Sequence, residues 1–114
     1  MTQGIALIVY PVTDLSAAKS FYRTLLGVDP YVDGSYYVGF RTGELEVGLD
    51  PNARRRGIAV PIGYVDVADI SEALKSLVDA GAEELQPITE VGGGLRIATV
   101  KDRDGNILGV RQAA

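Results

Sequence analysis

Cysteine and histidine are both absent from the 114 residues of this chain, and so is tryptophan. Without cysteine there is no disulfide, no thiolate nucleophile and no zinc–thiolate site, and the chain suits a reducing compartment. Without histidine, imidazole general bases, Ser–His–Asp triads and imidazole metal ligands are excluded as well. Positive charge is scarce: 11 basic against 15 acidic residues leave a net charge of -4. Nucleic-acid phosphates demand a basic face, so no nucleic-acid partner is expected. The basic cluster Arg54-Arg55-Arg56 reads as a solvated linker loop, with contact to an anionic partner as the alternative. The apolar run Ile5 to Tyr10 is too short for a signal-peptide core or a membrane span, and no basic residue precedes it. The expectation is a soluble, cytoplasmic protein without a membrane partner. A chain of this length makes one domain, residues 1–114, that buries roughly two thirds of its unfolded surface and needs no metal or disulfide to fold.

What is present is an internal repeat. Val12-Thr13-Asp14-Leu15 opens an amphipathic stretch that ends at Gly27, and Val67-Ala68-Asp69-Ile70 opens another that ends at Gly81. Asp14 and Asp69 stand 55 residues apart; each can cap a helix start, and each glycine suits the left-handed position past a helix end. Leu15, Ala18, Phe21, Tyr22, Leu25 and Leu26 follow helical spacing, as do Ile70, Ala73, Leu74, Leu77 and Val78. Phe21 and Tyr22 are expected to anchor the first helix with buried rings. A β-branched stretch precedes each helix, Ile5 to Val12 and Ile58 to Val67, with Pro61 at a strand start or on an edge. Short strands follow, near 31–32, 35–41 and 45–49, then near 83–86, 95–101 and 107–111. Turns fall at Asp33-Gly34, Thr42-Gly43 and Asp104-Gly105-Asn106. The expected fold is α+β: two βαβββ repeats, about 1–52 and 57–114, forming curled mixed sheets around a cleft with helices on the outer face.

These residues resemble the vicinal oxygen chelate superfamily, which includes glyoxalase I, extradiol dioxygenases and bleomycin-resistance proteins. The carriers are Asp14-Leu15 with Ala18 and Phe21-Tyr22, then Leu25-Leu26-Gly27. In the second half they are Val67-Ala68-Asp69-Ile70 with Ala80-Gly81, Gly92-Gly93-Gly94, and Lys101 to Gly109 around Asp102-Arg103-Asp104-Gly105-Asn106. The resemblance implies a glyoxalase-like fold, a small-molecule ligand and a homodimer. It also implies four metal-ligand positions in metal-dependent members, falling here at Leu7 and Ile62 and near Gly48 and Gly109. None offers a donor atom, so no metal and no cofactor are expected.

Strand alternation predicts the ligand site: Leu7, Val9, Tyr36, Val38, Phe40, Glu46, Gly48, Ile62, Tyr64, Ile107, Gly109 and Arg111, with Ile5 beside them. For the third strand the other face, Tyr37 and Gly39, is the alternative. Gly48 and Gly109 read as room for a flat ligand, or else as drift after a ligand residue was lost or as close sheet-to-sheet packing. Gly92-Gly93-Gly94 lacks the Lys-Ser/Thr ending of a phosphate loop and reads as a connection. The leading reading is a metal-free protein that binds a hydrophobic or aromatic compound, as antibiotic-sequestering relatives do. The alternative is a small lyase, isomerase or dioxygenase-like enzyme with Glu46 as the acid/base candidate.

Overall fold

The computed structural model describes residues 4–114; residues 1–3, where the first expected half begins, lie outside the described residues. The described residues divide into two compact units, Leu7–Ile62, and Gly63–Ala114 together with residues 4–6. Along the chain run strand β1 (Ile5–Pro11), helix α1 (Leu15–Leu26), and strands β2 (Val32–Asp33), β3 (Val38–Thr42) and β4 (Leu45–Asp50). After a 3₁₀ turn at Ala53–Arg56 come β5 (Ile62–Asp66), α2 (Ile70–Asp79), β6 (Glu83–Glu90), β7 (Arg96–Lys101) and β8 (Ile107–Gln112). The first unit orders its strands β2-β3-β4-β1 and the second β6-β7-β8-β5. In each, the opening strand pairs parallel with the closing one and the rest are antiparallel. The βαβββ plan is therefore present twice and the class is α+β.

The repeated aspartates do the same work in both units. Asp14 accepts from Ala17 N at 3.0 Å and Asp69 from Glu72 N at 3.1 Å, each satisfying a first-turn amide. Gly27 closes α1 at φ 72°, a left-handed conformation that side chains resist. Asp14→Ala is expected to cost about 1 kcal/mol, read as a lower urea midpoint at unchanged slope.

Each helix packs on its own sheet. Under α1 lie Val38, Phe40, Val47 and Leu49, lined by Tyr10, Val12, Leu15, Ala18, Tyr22, Leu26 and Val28. Under α2 lie Ile70, Leu74, Ala98, Val100 and Val110. Two expectations are corrected here. Val38 and Phe40 are buried against α1 and do not line a ligand site. The driest surface on offer lies between helix and sheet, and the largest apolar side chains of β3 take it. Phe21 does not anchor α1: it is 62% exposed, and Leu25 is 64% exposed. The apolar stripe of α1 is wider than its contact with the sheet, and Tyr22 alone of the two rings turns inward, its centroid 5.2 Å from that of Tyr10. Burial, with the nearby Tyr10 second, pushes the Tyr22 hydroxyl pKa up.

The linker folds on Asp50, which accepts from Asn52 N at 2.8 Å and pairs with Arg56, so part of the arginine cluster is structural. In the β7–β8 turn Asp102 accepts from the Asn106 side chain at 3.0 Å, from its backbone at 2.8 Å and from Asp104 N at 2.9 Å. These bonds, led by the Asn106 amide, hold the Asp102 carboxyl below its usual range. A depressed folded pKa adds stability that is complete above the unfolded value and disappears as pH falls through the folded one. Asp102→Asn removes that contribution, so its urea midpoint should fall less between about pH 6 and about pH 3 than the parent's.

Candidate functional site

The face of each sheet turned away from its helix carries the chemistry. In the first unit the hairpin loop Gly43-Glu44 sets the register: Arg41 stands opposite Glu46 and Gly39 opposite Gly48. The parallel pairing with β1 extends both rows, adding Leu7 to Glu46 and Val9 to Gly48. Directly paired residues share a face, so Leu7, Glu46 and Arg41 form one row and Val9, Gly48 and Gly39 the next.

The second row has a bare floor, and Tyr37 lies across it. A methyl group added at Gly39 would meet Tyr37 Cε2 at 3.2 Å and Tyr31 Cε1 at 3.3 Å; one added at Gly48 would overlap the Tyr37 hydroxyl and stand 2.7 Å from Cζ. Neither glycine has positive φ. They are required here for space, because the Tyr37 side chain lies against both. Beside them, Tyr31 donates a hydrogen bond to Glu46 Oε1, and the Arg41 guanidinium stacks 4.3 Å from the Tyr31 ring centroid. Glu46 is thus an engaged carboxylate within a Tyr31–Glu46–Arg41 cluster, with charge, hydroxyl and ring in contact.

The second unit repeats the device with other parts. Tyr64 stands opposite Gly109 on β8, Gly109 opposite Thr99 on β7, and Thr99 opposite Gln86 on β6. The Tyr64 ring leans over Gly109: an added methyl would overlap Cδ1 and Cε1 and reach Cγ at 2.9 Å. One row along, Asp66 faces Arg111 and Arg111 faces Ile97. Asp66 accepts from Arg111 Nε at 2.6 Å and from Nη2 at 3.0 Å, a two-pronged pair.

The predicted residues therefore divide. Leu7, Val9, Glu46 and Gly48 share the face of the first unit turned away from α1, where Leu7 is buried at 6% exposure and Gly48 is buried too. Tyr64, Gly109, Arg111 and Ile107 share the face of the second unit turned away from α2, where Tyr64 and Gly109 are buried. Ile62, at the start of β5, is buried at 4% exposure. Ile5 lies over Gly63, 3.2 Å from where its Cβ would stand. Tyr36 is 76% exposed in the loop before β3; its place over the sheet is taken by Tyr37. Val38 and Phe40 lie on the opposite face, and Gly39 stands where the alternative put it. Tyr31, Arg41, Thr99 and Gln86 escaped the sequence reading. The two-residue hairpin would have found Arg41, because it pairs Thr42 with Leu45 and every later pair follows.

A chelated divalent ion does not fit these residues. Leu7, Gly48, Ile62 and Gly109 bear no donor atom. The register sets Glu46, and not Gly48, opposite Leu7, but that is one carboxylate already engaged with Tyr31. Among the described residues no group of three or more His, Cys, Asp or Glu could hold a metal ion. Nor, among them, is any helix long and apolar enough to cross a membrane.

Comparison with known proteins agrees with the fold. CFP32 of Mycobacterium tuberculosis, which carries a provisional glyoxylase name, is 27% identical over 110 residues, 89% of this chain and 42% of its own length. The chain thus spans less than half of that relative. A Legionella pneumophila structure described as an NAD-dependent benzaldehyde dehydrogenase superposes with TM-score 0.79 at 18% identity, over 95% of this chain and 98% of that one. A singly substituted form of Streptomyces coelicolor methylmalonyl-CoA epimerase, bound to 2-nitronate-propionyl-CoA, gives 0.75 at 18% identity, over 100% and 99%. At such identity these likenesses establish the fold. The sequence profile of one family matches residues 4–110, and on that match the chain belongs to the Glyoxalase/Bleomycin resistance protein/Dioxygenase superfamily.

Proposed function

We propose that this chain is a metal-free domain that binds a small hydrophobic or aromatic compound. One observation carries the reading. Where metal-using relatives are expected to place late chelating side chains, this chain has bare α-carbons at Gly48 and Gly109, with the hydroxyl end of Tyr37 against the first and the Tyr64 ring over the second. A surface shaped to receive a flat ring against backbone, bordered by a few polar groups, is the usual make-up of a small-molecule site. A differential scanning fluorimetry panel of aromatic natural products tests it: a ligand that binds only the folded form raises the melting temperature by mass action. No shift from any aromatic, together with stoichiometric Fe, Mn, Ni or Zn by elemental analysis, removes the reading. The cytoplasmic location and the homodimer belong to the same proposal; sedimentation analysis reads the second.

A second reading, a small metal-free enzyme, is favoured by the Tyr31–Glu46 hydrogen bond. A carboxylate gripped by a phenol beside a guanidinium can hold or pass a proton at its Oε atoms. If it acts so, Glu46→Gln lowers kcat of any discovered turnover by about 100-fold or more and leaves ligand-induced thermal shifts in place. Unchanged kcat dismisses Glu46 as the acid/base.

A further inference from the structure

Among the described residues Thr99 is the one buried polar residue of the core, at 2% exposure. Its Oγ1 is the buried side-chain oxygen that finds no hydrogen-bond partner among those residues. Buried hydroxyls are nearly always bonded, because burial strips away water and an unmade bond costs more than a made one returns. Valine has almost the same shape, keeps the strand and carries no such cost. The hydroxyl sits on the face away from α2, next to the Gly109 notch and in one row with Tyr64, Gly109 and Gln86. On its far side β6 breaks register both before and after Gln86, an irregularity that sheets place where a side chain must be re-aimed.

We propose that Thr99 is a ligand contact and that the ligand is an aromatic carbonyl compound. This rests on the binding reading above and names the chemical class. The ligand ring takes the seat of the Tyr64 ring on the bare Gly109 backbone as Tyr64 swings aside, and its carbonyl oxygen accepts from Thr99 Oγ1–H. The notch fixes a flat six-membered ring, since that is the shape it already holds. The unpaired hydroxyl fixes an acceptor one strand further on. Tyr64 is then the stand-in for the ligand, and the cost carried by Thr99 in the closed form is recovered on binding.

The test compares acetophenone with ethylbenzene, equal in ring and size and differing in the carbonyl oxygen, by NMR titration of the wild type, Thr99→Val and Thr99→Ser. One hydrogen bond from a buried donor predicts roughly a tenfold preference for acetophenone in the wild type. It should survive in Thr99→Ser and fall within about twofold in Thr99→Val. Without ligand, Thr99→Val should melt at or up to about 4 °C above the parent. A drop of more than about 4 °C gives the hydroxyl a structural partner and overturns the proposal. A preference that persists in Thr99→Val, or no preference in the wild type, also overturns it and leaves the binding reading standing. If the wild type binds neither probe but other aromatics raise its melting temperature, Thr99 again loses its role alone. If neither the probes nor the panel bind, the binding reading falls with it.

Discussion

Phe40→Ala is expected to destabilise the first unit by about 3–5 kcal/mol, whereas Phe21→Ala should stay within about 0.5 kcal/mol. The chain has two phenylalanines, and the helical motif points to the wrong one. Phe40 is fully buried between α1 and the sheet, against Val38, Val47 and Leu49. Its removal leaves a hole that the flanking strands close only in part. Phe21 already stands in water over most of its surface, so truncation changes little between the folded and unfolded chain. A domain of this size holds about 5–15 kcal/mol in total. The first variant should therefore lose much of its folded population on modest heating and the second should not. Urea melts of both, followed by far-ultraviolet circular dichroism, decide it; equal midpoints would refute the burial assigned to Phe40.

Gly109→Ala is the second large effect. The backbone there lies outside the positive-φ region, so alanine is conformationally acceptable and the whole cost is steric. The added methyl meets the body of the Tyr64 ring, which is buried at 7% exposure. Overpacking of this kind costs about 1–3 kcal/mol. At Gly48 the methyl meets chiefly the tip of Tyr37, a residue of the loop before β3, which yields more easily than a strand. Gly48→Ala should cost the lesser amount. In a Tyr64→Ala background the Gly109→Ala penalty should shrink to within about 0.5 kcal/mol, and the difference is the coupling energy of ring and notch. If the penalty is the same in both backgrounds, the ring is not what the glycine accommodates.

Much of this was legible in the sequence because two independent signals agreed. The aspartate caps and the apolar spacing both place helices at Leu15 and Ile70, and the structure has them there. The face of β3 was not legible from hydrophobicity alone. Val38 and Phe40 suit a dry core and a ligand pocket equally, and only the pairing of Gly39 with Gly48 separates the two. Tyr36 and Tyr37 both fall in the loop before β3, where strand alternation does not decide which ring turns over the sheet. Thr99 was invisible because its significance is the absence of a partner, which only three dimensions reveal.

The tyrosine held on a glycine floor has an optical consequence. With no tryptophan in the chain, near-ultraviolet dichroism and emission come chiefly from tyrosine, undimmed by energy transfer to an indole. A phenol pinned against backbone is a strongly dichroic chromophore, and one released to rotate is a weak one. When a guest displaces Tyr64, the protein should announce it as a fading near-ultraviolet phenol band, without any label attached.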